Sequence, residues 1–125
     1  MTGYYTMKYL PTILVCTLVL ILSVINTGVL PKTDVPSADK IVHTIMYFAI
    51  TIILMLNQTS YLQKRITRRQ LHFAFLFSVG FGTLMEVIQH FLPWRSGSVY
   101  DFIANTLGVV LAIILFAIFT KKQRT

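Results

Sequence analysis

Long uncharged apolar stretches alternate with short polar segments along the whole chain. A single acidic side chain, Glu86, interrupts one of them. The four apolar stretches cover, approximately, residues 10–30, 41–62, 71–92 and 102–120. Each is long enough, at about 1.5 Å of rise per residue, to cross a hydrocarbon core of about 30 Å as a helix. The pattern therefore predicts four membrane-spanning helices.

The connectors between these stretches are short, so consecutive helices are expected to run antiparallel. This predicts an all-α, up-down-up-down four-helix bundle that forms one domain over residues 1–125. Pro11 is expected in the first turn of the first helix, where its missing N–H is tolerated. Ser37 or Asp39 is expected to cap the second helix, and Asp101 the fourth.

Composition supports a membrane protein. Charged residues make up 12% of the chain, about half the share in a typical soluble domain. The net charge is +7, and most of the cations lie directly beside apolar stretches. That placement is typical of topology signals and argues against nucleic-acid binding. Cys16 is the single cysteine, so an internal disulfide is excluded.

The distribution of cations also predicts the orientation of the bundle. Eight of the eleven Lys and Arg residues lie near the termini and in the 63–70 connector, and three lie near the other two connectors. Cytoplasmic segments carry the excess of positive charge. Both termini are therefore expected in the cytoplasm, and the 31–39 and 93–101 segments on the outer side.

Polar residues gather near the predicted outer ends of three helices. Glu86 would lie about 8 Å below the outer end of the third span at the helical rise per residue. Ionisable residues in membrane spans are rare and mark functional sites. The residues expected in this one layer are Asp39, His43, Tyr47, Glu86, Gln89, Arg95, Asp101 and Asn105.

Helical spacing supports the grouping. Asp39, His43 and Tyr47 follow each other at intervals of four, which places them along one helix face. Asp101, Asn105 and Gly108 form a second stripe, in which Gly108 would allow close approach of a neighbouring helix. The stripes should face one another or a wet cavity.

More than one role fits these residues. Glu86 could form a structural ion pair or hydrogen bond with Arg95 or His43 that only holds the bundle together. Arg95 beside an outward pocket also suits an anionic group such as a lipid phosphate, and His43 could exchange a proton with it. HExxH and Cys/His motifs are absent from the sequence, so neither a metal nor a cofactor is predicted.

Two ordered motifs carry a resemblance to a known family. Asp39-Lys40-x-x-His43-x-x-x-Tyr47-Phe48 and the longer Glu86-x-x-Gln89-x-Phe91-x-Pro93-x-Arg95-x-x-Ser98-x-x-Asp101-x-x-Ala104-Asn105-x-x-Gly108 resemble the VanZ-like membrane proteins. The resemblance covers about residues 39–118. It implies a compact multi-span domain of the bacterial cytoplasmic membrane and adds Lys40 and Ser98 to the candidate site. The namesake is linked to resistance to the glycopeptide teicoplanin, and no reaction is established for the family.

The function expected from these observations is binding or modulation of an anionic, lipid-linked component of the cell envelope. Membrane lipids, a cell-wall precursor or a glycopeptide antibiotic are the expected partners, and a homo-oligomer is left open. One alternative is an enzyme acting on a phospholipid or lipid phosphate. The other is a structural or transport subunit in which the polar layer only joins the helices.

Overall fold

Four helices make up most of the part of the chain that the structure describes. The computed structural model describes residues 2–26, 37–59 and 66–122. The helices are α1 (Thr2–Val24), α2 (Ala38–Gln58), α3 (Arg68–Phe91) and α4 (Val99–Lys122). All four contain a stretch long and apolar enough to cross a membrane. The all-α prediction of four spans is therefore confirmed.

The helix bounds differ from the predicted spans in informative ways. Pro11 lies in the interior of α1, because the helix begins at Thr2; the prediction of a first-turn proline is wrong. Membrane helices tolerate an internal proline because neighbouring groups satisfy the freed carbonyl. α1 also ends at Val24, whereas the predicted first span continued to residue 30. Residues 27–30 of that span, and residues 60–62 of the predicted second span, lie outside the described part of the chain.

The starts of α2 and α4 correct two expected caps. Ser37 occupies the position before α2 but its side chain makes no capping hydrogen bond, and Asp39 lies inside the first turn. α4 begins at Val99, which makes Asp101 its third residue rather than its cap. The hydroxyl of Ser98 instead accepts the backbone N–H of Tyr100 at 3.2 Å, as a residue before a helix is suited to do.

Successive helices run antiparallel, and α2 lies at the centre of the bundle. It packs against each of the other three helices, and its closest partner is the parallel helix α4. Gly108 makes that approach possible, because a Cβ at this position would clash with the carbonyl oxygen of Thr44 and lie 3.0 Å from the amide nitrogen of Phe48. The Thr44 hydroxyl donates across the same contact to the carbonyl of Ala104 at 3.2 Å.

The core runs along α2 and is closed by polar contacts as well as apolar ones. Tyr47, Ile50 and Met55 are almost fully buried. Thr51 donates to the hydroxyl of Ser78 at 3.0 Å, which joins α2 to α3 at mid-height. Large apolar side chains cover the outside of the helices, as expected where the surrounding solvent is lipid.

The end of the bundle that holds the α2–α3 connector is fastened separately. Thr67 and Gln70 form a capping box at the start of α3. The Gln70 amide also donates to the carbonyl of Gln58 at 3.0 Å, near the end of α2. Asn57 donates to Thr12 on α1 at 2.6 Å. These contacts are made without the candidate site residues, which all lie elsewhere.

Candidate functional site

The predicted polar residues lie at the opposite end of the bundle, where α1 and α3 end and α2 and α4 begin. We call this the polar end. Three of the chain's four acidic residues, Asp39, Glu86 and Asp101, come together there with His43. They come from three different helices, so the site exists only in the assembled bundle.

A buried amide connects the three helices. Asn105 on α4 is 1% exposed. Its Oδ1 lies 2.9 Å from Nδ1 of His43, and its Nδ2 donates to Oε1 of Glu86 at 3.1 Å. Because the carboxylate can only accept from the amide nitrogen, the amide oxygen must accept from the histidine. The proton of neutral His43 is therefore on Nδ1, and the lone pair is on Nε2.

Glu86 is held by the loop before α4 as well as by Asn105. The backbone N–H of Ser98 donates to its Oε2 at 3.3 Å. The loop can approach because Gly97 lacks a side chain: a Cβ there would lie 2.8 Å from the carbonyl oxygen of Glu86. The carboxylate is thus met by two N–H donors, and Nδ1 of His43 lies 3.7 Å from its Oε1.

The part of the site nearest the starts of α2 and α4 contains two aspartates and a lysine. Asp39 is the accessible member, with 60% of its side chain exposed, and its Oδ1 lies 3.7 Å from Nε2 of His43. Asp101 is 5% exposed, and its Oδ1 accepts no hydrogen bond from the part of the chain that the structure describes. Lys40 follows Asp39 in the first turn of α2 and is partly buried. The site therefore runs from a buried network to an open edge at Asp39.

Tyr47 lies one turn deeper on the same face of α2 as His43. Its ring packs against Gly82, where a Cβ would lie 3.0 Å from Cε1 of Tyr47 and 3.4 Å from Nδ2 of Asn105. The phenol oxygen is buried and has no hydrogen-bond partner among the described residues. Gly82 thus provides the space in which a tyrosine and an asparagine fit side by side.

Gln89 and Arg95 belong to the polar end but face α1. The amide of Gln89 donates to the carbonyl of Ser23 at 3.1 Å, and Nη2 of Arg95 donates to that of Leu22 at 2.8 Å. Trp94 donates in the same way, from its indole N–H to the carbonyl of Val24 at 3.0 Å. The last carbonyls of a helix have no partner within it, so these three side chains together cap α1.

The structure thus divides the predicted residues into groups. One network contains His43, Glu86, Asn105 and, through its backbone, Ser98, with Asp39 and Asp101 beside it. Gln89 and Arg95 instead fasten α1, and Gly108 lies in the α2–α4 contact. Four further residues with a visible role at this end were not predicted from the sequence: Thr44, Gly82, Trp94 and Gly97.

A cavity of about 240 Å³ lies away from these residues. It opens between α1 and α3, and Thr12, Cys16, Phe77 and Phe81 are among the residues that line it. Its lining is largely apolar, so in a membrane it is a groove suited to an acyl chain rather than to a polar headgroup. The thiol of Cys16 lies in this lining and can be labelled chemically.

Four spanning helices with a buried carboxylate, histidine and amide define a multi-pass membrane protein with a polar site at one end. The sequence also matches a family model described as VanZ/LLP1 over residues 4–120. The chain therefore belongs to the VanZ/LLP1 family, as the resemblance predicted. The matched region contains every residue of the site.

A curated relative shows how widely such sequences occur. An uncharacterized protein of the fission yeast Schizosaccharomyces pombe is 30% identical over 97 residues. The match covers 77% of this chain and 57% of the relative, so the chain spans less than two thirds of that protein. No solved structure matches the chain significantly.

Proposed function

We propose that this protein binds the phosphate group of an anionic membrane lipid at its polar end. The observation that carries the proposal is a set of buried polar atoms without protein partners. Of the four such side-chain atoms in the described residues, three belong to the polar end: Tyr47 Oη, Arg95 Nε and Asp101 Oδ1. Buried polar groups are normally hydrogen-bonded, so a cluster of exceptions suggests a missing ligand.

The competing explanation is that the polar residues only hold the helices together. It accounts well for Asn105, whose amide satisfies both His43 and Glu86. It does not account for Asp101 and Tyr47, since a purely structural network gains most when every member is satisfied. The unsatisfied members favour a binding site that is built on top of the structural one.

Two cations support an anionic ligand. Lys40 lies in the first turn of α2 beside Asp39, and its side chain is partly exposed. Arg95 uses Nη2 on α1 and retains further N–H groups, since a guanidinium carries five. A planar guanidinium and a lysine are the side chains best suited to a phosphate.

The fission-yeast relative supports the choice of a lipid phosphate. Yeast walls lack peptidoglycan, so a cell-wall precursor or a glycopeptide could not be the ligand common to both proteins. Anionic phospholipids and polyprenyl phosphates are present in both kinds of cell. Lowered teicoplanin susceptibility and a location in the bacterial cytoplasmic membrane remain narrower proposals for this chain, drawn from the family namesake.

The test compares a phosphorylated lipid with its neutral counterpart. Purified protein in detergent should bind undecaprenyl phosphate and not undecaprenol, as measured by native mass spectrometry. Lys40→Gln should weaken binding at least fivefold. Arg69→Gln, which removes one exposed charge at the other end of the bundle, should leave it unchanged. Equal binding of the two lipids, or equal effects of the two variants, would exclude the proposal.

Tyr47→Phe separates a binding role from a structural one. The substitution removes only a hydroxyl that has no partner among the described residues. If the hydroxyl serves a ligand, lipid binding falls while thermal stability is unchanged. A variant that binds like the wild type would instead support the structural explanation.

An enzymatic role is the second candidate, and His43 is the observation that favours it. Asn105 fixes its Nδ1, which leaves Nε2 to exchange a proton beside Asp39. Incubation with lipid phosphates should then release phosphate or a modified lipid, and His43→Gln should abolish that product. Unchanged lipid after prolonged incubation would limit the protein to binding.

A further inference from the structure

We propose that Asp39, His43 and Asp101 bind a divalent metal cation. One ligand atom from each of these residues lies within 4.8 Å of the other two. Metal sites that also bind an external group typically have three protein ligands and one open coordination position.

His43 presents the correct nitrogen. Its Nδ1 is occupied by Asn105 at 2.9 Å, so the lone pair of the neutral ring is on Nε2 and points to Asp39, whose Oδ1 lies 3.7 Å away. A second-shell hydrogen bond on the other ring nitrogen is what metal-binding histidines usually have. Here the side-chain amide of Asn105, which also donates to Glu86, provides that hydrogen bond.

Asp101 provides the second, independent observation. It is 5% exposed, yet its Oδ1 accepts no hydrogen bond within the described ranges. A carboxylate oxygen in that position needs a cation or a donor. A ligand atom of His43 and one of Asp39 both lie within 4.8 Å of a carboxylate oxygen of Asp101, and a cation between the three would be the missing partner.

The distances require only a small contraction. Metal bonds of about 2.1 Å to nitrogen and oxygen place neighbouring ligand atoms about 3.4 Å apart in a tetrahedral site. The 3.7 Å between His43 and Asp39 is already close to that value. Asp39 is the exposed member of the three, so its side chain can move the remaining distance without disturbing the core.

The donor set indicates the class of metal. One imidazole and two carboxylates suit Zn²⁺ or Mn²⁺, whereas Mg²⁺ and Ca²⁺ prefer oxygen ligands alone. The exposed edge at Asp39 leaves a coordination position for water or an anion. We therefore expect binding of Zn²⁺ and Mn²⁺ with clear preference over Mg²⁺ and Ca²⁺.

The cation also resolves a conflict at the polar end, and this step alone rests on the proposed function. Asp39, Glu86 and Asp101 would repel a phosphate through their like charges. A divalent cation held by two of them neutralises their charges and can bind a phosphate oxygen directly. Lipid phosphate should therefore bind more weakly after a chelator has removed the metal.

The main competing arrangement is a doubly protonated His43 that pairs with both aspartates. It uses the same three side chains and the same short distances, but no metal. Direct titration distinguishes the two, because Zn²⁺ would have to displace the Nε2 proton of such an ion pair and would bind weakly.

The test is a metal titration of the full chain, purified with a Strep tag so that no polyhistidine is present. After chelator treatment and dialysis, isothermal titration with Zn²⁺ and with Mn²⁺ should show one site per chain. Asp39→Asn should raise the Kd at least tenfold without lowering thermal stability, since Asp39 is exposed. Asp101→Asn, which keeps the shape of the buried side chain, should do the same.

His90→Ala is the matched control, because His90 is an exposed histidine near the same end of α3. It should leave the Kd unchanged. Failure of both ions to bind at 1 mM, or equal losses in the control and the Asp39 variant, would overturn the metal site. Metal binding without lipid binding would retain the metal site and exclude the proposed function. Lipid binding that needs neither metal nor Asp39 would retain the proposed function and exclude the metal as the group that binds the phosphate.

Discussion

His43 Nδ1 lies 2.9 Å from Asn105 Oδ1, although 62 residues separate the two side chains in the sequence. The contact joins the second turns of two parallel helices. Through the same amide it extends to Glu86 on α3, which runs antiparallel to both. One asparagine therefore fixes the relative heights of α2, α3 and α4 at the polar end.

Replacement of Asn105 should destabilise the bundle. Asn105→Ala leaves a ring N–H of His43 without its acceptor and takes one donor from Glu86, and each such loss costs about 1–3 kcal/mol when the group is buried. Thermal stability, measured by size-exclusion chromatography of heated detergent extracts, should fall clearly. Thr83→Ala removes an exposed hydroxyl bonded only within its own helix and should have little effect. Equal stability of the two variants would contradict the role given to Asn105.

Gly108 should tolerate no added methyl group. In Gly108→Ala the new Cβ would clash with the backbone of Thr44 on α2, and overpacking of this kind costs about 1–3 kcal/mol. The matched control is Gly80→Ala on α3, where a Cβ meets nothing within 4 Å. That substitution should be neutral or slightly stabilising because alanine is the better helix former. The same heat-challenge assay should therefore rank the two variants on opposite sides of the wild type.

The cap on α1 can be tested through the single cysteine. Gln89→Leu removes the donor to the Ser23 carbonyl, so α1 should separate more readily from α3 and open the groove that Cys16 lines. Labelling of Cys16 by N-ethylmaleimide should then be several-fold faster than in the wild type. His90→Ala, one residue further along α3, should label at the wild-type rate. Unchanged labelling of the Gln89 variant would show that α1 is held by its other contacts.

The orientation in the membrane remains a prediction from charge. With both termini in the cytoplasm, a C-terminal green fluorescent protein fusion should fluoresce in a bacterial host, and an alkaline phosphatase fusion at the same position should be inactive. Phosphatase inserted into the 31–36 segment should be active. The opposite pattern would place the polar end on the cytoplasmic side and redirect the search for its ligand.

The sequence was sufficient to predict the four helices and the end of the bundle where the polar residues meet. Apolar length determines a membrane span almost by itself, and residues at equal depth in antiparallel helices must lie at the same end. Asp39 and His43, Asp101 and Asn105 followed from that rule and from their spacing of four.

What could not be predicted depends on contacts between distant residues. Gln89 is three residues after Glu86, and this offset turns its amide from the α2–α4 side to the end of α1. The early end of α1 at Val24 has the same cause, since donors from α3 and the following loop satisfy its last carbonyls. Gly82 and Gly97 have no sequence signal of their own, because the need for a missing Cβ becomes visible only when the neighbouring element is in position.

The hydrogen bonds that Glu86 accepts from Ser98 and Asn105 also have a consequence for how the protein enters the membrane. Glu86 is synthesised before Ser98 and Asn105, which donate to its carboxylate in the finished bundle. A nascent chain that has inserted α3 therefore carries an acidic group in the membrane until the fourth helix follows. Any truncation before residue 98 would leave that group without these donors, and such a chain should be recognised as incomplete by the cell's quality control.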